Sequence, residues 1–203
     1  MNKSKQIEKD YSAIILAAGK SERLGFPKLS LKYSDQYTFV EQIAKEYNLF
    51  GCKEIIVVAN QSGYNYIKNH NLKFPKNIHL VINEYPEWHR FYSLKIGVKA
   101  LRESHSVIVH NVDNPFVNRR VLDDLLKNIN TTDYVIPEYE NRGGHPFLIS
   151  KKIVNDIKFV EENQIHLKEF LNQYAKLKVP VQHEGVLVNI NTMDEYRKYF
   201  GLT

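Results

Sequence analysis

Four short apolar runs punctuate the first half of the chain, at residues 12–16 (SAIIL), 54–59 (EIIVVA), 78–82 (IHLVI) and 106–110 (SVIVH). Runs of this length with little polar alternation predict strands covered on both faces. Helical spacing lies between them. Thr38 opens a capping box with Glu41, the apolar Phe39, Val40, Ile43 and Tyr47 share one face, and Gly51 is placed to stop the helix. Residues 93–101 and 118–128 follow the third and fourth runs, the second of them with Val121, Leu122, Leu125 and Leu126 in helical register. This alternation predicts an α/β, Rossmann-like three-layer domain with a mostly parallel mixed sheet, whose ligands sit beyond the carboxyl ends of the strands. From Asp133 the order loosens: strand-like 133–137 (DYVIP), a loop over 138–145, strand-like 146–150 (PFLIS), helices around Ile153 and Leu167, and short strands near Lys178 and Val186. A mixed sheet edge is expected there. A last capping box, Thr192 with Glu195, opens a helix that Gly201 stops.

Composition narrows the class. With 203 residues, 43% hydrophobic and 25% charged, the chain is expected to fold as one domain over residues 1–203, which excludes a coiled coil or a disordered tail. No window approaches the roughly 18 uncharged apolar residues of a membrane span. The amino-terminal MNKSKQIEKDYS lacks the apolar stretch of a secretory signal, so a soluble, cytoplasmic protein without a membrane partner is expected. Cys52 is the only cysteine, which excludes an internal disulfide or a cysteine-rich zinc cage and reads as a packing residue. Basic residues exceed acidic ones by five, 28 against 23, but they are scattered, with no run of five. That distribution argues against nucleic acid and fits a phosphate-rich small molecule.

The most informative segment is residues 16–28, LAAGKSERLGFPK, directly after the first strand. The small Leu16-Ala17-Ala18-Gly19 turn lets backbone come close to a bulky ligand, its amides can converge on phosphate oxygens, and Arg23 and Lys28 add positive charge. A tight connection with solvated charges is the competing reading. The segment is neither a Walker A loop nor G-x-G-x-x-G. Asp113 follows a buried run and falls at a strand's carboxyl end, where one carboxylate can take an octahedral position of a Mg²⁺ that also ligates substrate phosphates. Asp113-Asn114-Pro115 can equally be a plain turn. Arg142-Gly143-Gly144-His145-Pro146 joins a flexible turn to a fixed cation and a titratable ring, with a simple hairpin as the alternative. The eight His include no H-E-x-x-H and no i, i+4 pair, so zinc chemistry is poorly supported. Trp88 and its aromatic neighbours are read as cover for the sheet edge before a base platform.

The pattern L-A-A-G-x-S-x-R-x-G-x-P-K in residues 16–28 resembles the signature loop of nucleotidyltransferases of the GT-A-like fold. Four further segments, 83–97 (NEYPEWHRFYSLKIG), 110–116 (HNVDNPF), 142–147 (RGGHPF) and 189–195 (NINTMDE), appear in the order of the MobA-like branch, nearest in pattern to molybdenum cofactor cytidylyltransferases. The resemblance implies that residues 16–19, Arg23 and Lys28 wrap and neutralise a nucleoside triphosphate, that Ser93 and Leu94 lie near the nucleoside, and that Asp113 holds Mg²⁺ with Asn191. Arg142, Gly144 and His145 would border the acceptor. The implied reaction transfers CMP from CTP to a phosphate or hydroxyl acceptor such as molybdopterin and releases pyrophosphate, with Lys28, Arg23 and Asp113 as the catalytic groups. A sugar- or polyol-phosphate acceptor and a catalytically silent nucleotide-binding domain are the alternatives. Two positions depart from the family pattern: Asn189-Ile190-Asn191-Thr192 stands where D-I-D-T is usual, and Arg90-Phe91 where relatives carry Gly-Met. The first removes charge from the metal site; the second points to a different acceptor.

Overall fold

The computed structural model describes residues 11–103 and 105–201. Residues 1–10, most of the segment read above for a secretory signal, lie outside them. Strands β1 (Tyr11–Ala17), β2 (Ile55–Ala59), β3 (Ile78–Ile82) and β4 (Ser106–Asn111) pair in parallel in the order β3-β2-β1-β4. The mostly apolar character of β1, β2 and β4 has its cause in the layers on either side, whereas β3, at the sheet edge, is half-buried throughout. Ala13, Ile15 and Ala17 of β1 face one core cluster, built with helices α1 (Phe39–Phe50), α2 (Gln61–Asn69), α4 (Arg119–Asn128) and α7 (Met193–Phe200). Ile14 and Leu16 face the other, built with α3 (His89–Lys99), α5 (Lys151–Phe159) and α6 (Leu167–Leu171). Successive strand residues point to opposite faces, so a strand between two helical layers must be apolar at nearly every position.

Beyond β4 the sheet turns mixed, as expected. β7 (Phe147–Ile149) runs antiparallel to β4, β5 (Tyr134–Tyr139) antiparallel to β7, and β8 (Lys176–Pro180) parallel to β5. Three readings need correction. Residues 138–145 are not one loop: Glu138 and Tyr139 end β5, and Arg142–Gly143 forms the two-residue strand β6, joined through Glu140 and Asn141 at φ 47° and 63°. Positive φ at both central residues belongs to the turn that best matches strand twist. Val186 lies in a 3-10 turn, Glu184–Leu187, and not in a strand. Helix α2 has no counterpart in the sequence reading, because only Gly63 and Ile67 of its nine residues are buried and no apolar period shows.

Both capping boxes form, and Gly51 and Gly201 end their helices in the left-handed region at φ 99° and 52°. Each such cap is worth about 1 kcal/mol. Helix α3 presses closely on β1: a Cβ at Gly97 would stand 2.8 Å from Ile14 Cγ2. That approach sets the first turn of α3 beside the loops that leave β1 and β4. No helix among the described residues is long and apolar enough to cross a membrane.

Candidate active site

The loop after β1 is held open by its own side chains. Ser21, at φ 53°, accepts from the amides of Leu24 and Gly25 at 2.9 and 3.2 Å through its carbonyl, and its Oγ accepts from Lys28 N at 3.2 Å. Asn60 Nδ2, at the head of α2, donates to the carbonyls of Ala18 and Gly19 at 3.3 and 3.1 Å. The amides of residues 19–23 find no acceptor among the described residues. A run of such free donors beside Lys20 and Arg23 is what an anion-binding loop requires, and Glu22 is the one carboxylate within it.

The loop after β4 carries the carboxylate. Val112 N continues the ladder to Leu16 O at 3.1 Å, and Asn114 N closes a tight turn on Asn111 O at 3.0 Å, which leaves Asp113 at the strand's carboxyl end. Asp113 Oδ1 is buried without a partner, while Oδ2 lies 3.9 Å from Lys28 Nζ. Burial raises the Asp113 carboxyl above its usual range, and the charges of Lys28 and Arg90 oppose the rise. Burial likewise lowers Lys28, against the pull of Asp113 and with the push of Arg23. Fully buried His110 supports the turn from below: Tyr47 OH donates to its Nδ1, and its Nε2–H donates to Asn114 O. Burial brings His110 down to about 4, so the ring is neutral and can accept on one nitrogen while donating from the other.

The chain's end is tied to the same turn. Asn114 Nδ2 donates to Gly185 O at 2.8 Å and Val188 O at 2.7 Å, and Asp113 O accepts from Ile190 N at 2.7 Å. Glu195 Oε2 accepts from the amides of Asn191 and Thr192 at 2.6 and 3.0 Å. Asn191 and Asp113 thereby meet the same ammonium, Lys28 Nζ donating to Asn191 Oδ1 at 2.5 Å and lying 3.9 Å from Asp113 Oδ2.

Three cavities meet here. A polar basin of about 380 Å³ is lined by residues 20–23, Lys28 and Asn191. A cleft of about 230 Å³ adjoins it across Ser21 and Lys28 and is lined by residues 16–19, Ser93 and Asp113. His89 and Arg90 close the cleft on another side and also line a larger cavity, about 570 Å³. The larger cavity carries Arg90, Lys168, Lys176, His89, His145 and His166 over a floor that includes Ile136, Phe147 and Leu171, and no carboxylate lines it. His145 Nε2 is 3.2 Å from Asn111 Nδ2, its Nδ1 is buried without a partner, and burial with nearby Arg90 lowers the ring to about 4. Gly144 N donates to Pro137 O at 2.8 Å, and a Cβ there would meet Val186 O at 2.4 Å, so only glycine fits.

The placement of the expected residues follows. Leu16, Ala17, Ala18, Gly19, Lys28, Ser93 and Asp113 line the cleft, while Arg23 and Asn191 line the basin. Ser93 Oγ accepts from Asn83 Nδ2 at 2.9 Å, which leaves the hydroxyl hydrogen free to turn into the cleft. Leu94 departs from expectation: its side chain is fully buried in the core beneath α3 and does not line the cleft. Arg142 is exposed on β6 and does not line the larger cavity, whereas Gly144 and His145 do. The sequence reading assigned no site role to His89, His166, Lys168 or Lys176, and knew Arg90 only as a departure. These come from α3, α6 and β8, and no local motif joins them.

Loop, carboxylate and cationic cavity gather beyond the carboxyl ends of β1 and β4, where an α/β sheet binds its ligands. The family model for the MobA-like NTP transferase domain matches residues 13–178, and the chain belongs to that family of nucleotidyltransferases. It is 29% identical to a probable molybdenum cofactor guanylyltransferase of Clostridium perfringens, over 91% of this chain and 93% of that protein. It is 25% identical to 2-C-methyl-D-erythritol 4-phosphate cytidylyltransferase of Fusobacterium nucleatum, over 80% of this chain and 67% of that protein. The crystal structure of Rv0371c from Mycobacterium tuberculosis H37Rv shares the fold, with a TM-score of 0.77 at 19% identity over 96% of this chain and all of that one. A further structure of Rv0371c is a complex with manganese.

Proposed function

We propose that this nucleotidyltransferase transfers a nucleoside monophosphate to a small acceptor that bears an anionic group, molybdopterin among the candidates, and releases pyrophosphate in the cytoplasm. The observation that carries the reading is the placement of Asp113, Lys28 and Asn191 on the seam between the polar basin and the cleft. In this reading the free amides of residues 19–23 with Lys20, Arg23 and Lys28 hold the triphosphate. The larger cavity takes the acceptor between Arg90, Lys176 and the His145 ring, beside Gly144, with exposed Arg142 outside the lining on β6. An acceptor oxygen forms a bond to the α-phosphorus while the bond from that phosphorus to the bridging oxygen breaks, and the electron pair leaves with pyrophosphate into the basin. No protein nucleophile is needed, and catalysis rests on positioning and on charge held ready for the leaving group.

The donors present fit a divalent ion of the magnesium type. Asp113 Oδ1 is buried and unsatisfied, Asn191 Oδ1 and Asp113 Oδ2 lie 2.5 and 3.9 Å from the same ammonium, and such an ion takes one or two protein oxygens and completes its shell from phosphates and water. Mg²⁺ bound there would neutralise the phosphates.

The base is read as cytosine. The reading rests on the Ala17-Ala18-Gly19 turn that lines the cleft, the pattern in which the resemblance to cytidylyltransferases lies. A second reading, guanine, is favoured by the guanylyltransferase relative. Calorimetry with Mg²⁺ separates them: CTP is expected to bind more tightly than GTP, and equal or stronger GTP binding transfers the reading to guanine. Asp113→Ala is expected to lower acceptor-dependent pyrophosphate release from the favoured triphosphate by about 10³ or more with the fold retained. Release near the wild-type rate would remove Asp113 from the site.

A further inference from the structure

One ammonium group stands among the oxygens read above as metal ligands. Lys28 Nζ donates to Asn191 Oδ1 at 2.5 Å and lies 3.9 Å from Asp113 Oδ2, while Asp113 Oδ1 keeps no partner. The placement is built from both sides. Pro27 at φ −62° leads into the 3-10 turn Lys28–Ser30, and Ser21 Oγ holds the Lys28 amide. Opposite, Asn114 and Glu195 fix the backbone that presents Asn191.

A magnesium-type ion ligated about 2.1 Å from Asn191 Oδ1 would share that oxygen with the ammonium already bound to it. Two cations on one oxygen, in a site poorly screened by water, repel strongly. The free ion therefore has to displace Lys28 while bringing it no new anionic partner, and Glu22 is the one carboxylate among the basin's lining residues. A metal–nucleotide complex meets a different situation, because its phosphates enter the basin that Lys28 shares with Lys20 and Arg23. They offer the ammonium a new anionic partner as the metal takes the vacated oxygens.

We propose that Lys28 makes this site selective for a metal–nucleotide complex over the free divalent ion. The inference rests on the reading of Asp113 and Asn191 as metal ligands. It carries a sign that a purely phosphate-binding lysine would not: removing the ammonium strengthens binding of free metal even as it slows turnover.

The test uses Mn²⁺ alone, titrated into the full chain and followed by loss of the free Mn²⁺ paramagnetic resonance signal. Lys28→Met is expected to bind Mn²⁺ at least about tenfold more tightly than wild type, as expected for removing a like charge at contact distance. Lys28→Gln, which keeps an amide donor without charge, should fall between the two. Adding Asp113→Asn to Lys28→Met should abolish the gain. Mn²⁺ binding by both Lys28 variants that is equal to or weaker than wild type overturns the selectivity role and leaves the metal assignment standing. A gain that survives Asp113→Asn overturns the metal assignment, and the proposal with it.

Discussion

The parallel half of the sheet and its antiparallel edge solve different recognition problems. In β1 to β4 one continuous segment, residues 16–28, lines both the cleft and the basin, and Asp113 stands one loop away. Around β5 to β8 the larger cavity is assembled from the start of α3, the β6 hairpin, α6 and the first residue of β8. A triphosphate is the same in every relative that uses one, so a single loop with fixed spacing can hold it. An acceptor differs from enzyme to enzyme, and its cavity is built from whichever side chains the sheet edge brings together.

The largest effect that would sharpen this contrast is expected at Lys28. Lys28→Ala should lower kcat by about 10² to 10³ while triphosphate affinity falls less than about tenfold, because the ammonium acts most strongly on charge that develops during transfer. Loss of binding with kcat intact would make Lys28 an anchor of the nucleotide half only.

A second effect falls on the turn that joins the halves. His110 titrates near 4 when folded, against about 6.5 in the unfolded chain, so the unfolded chain binds more protons between these values. Stability should be full above pH 6.5 and fall as pH drops toward 4, by as much as about 3 kcal/mol from this one ring. Urea midpoints at pH 7.5 and 5 measure the fall, and His110→Asn should reduce it by roughly half, because burial lowers His145 to about 4 as well. An unchanged pH dependence in that variant would assign the loss to other groups.

The two halves were unequally legible. The capping boxes, the helix-ending glycines and the apolar strands are local signals that form as read, except that β3 is a half-buried edge strand and not one covered on both faces. The loop after β1 is legible because glycine, proline and charge recur there at fixed spacing. Leu94 misled because adjacent helical residues point about 100° apart, so Ser93 reaches the cleft while its neighbour enters the core. Helix α2 was hidden by having one buried large apolar residue, Ile67. Lys168 and Lys176 are exposed lysines like many others until β8 pairs with β5 and α6 packs on α3. Arg90 gains meaning only from its position on the seam of two cavities.

Separation of the halves is tested most directly by Lys176→Ala, measured both by calorimetry with the Mg²⁺ triphosphate and by acceptor-dependent pyrophosphate release. Lys176 lines only the larger cavity and forms no ion pair among the described residues. The expected result is a triphosphate affinity within about twofold of wild type and an acceptor KM raised about tenfold, the scale of one lost charge-assisted contact of about 1.5 kcal/mol. A triphosphate affinity that fell as far as the acceptor's would place the nucleotide across both cavities and contradict the division.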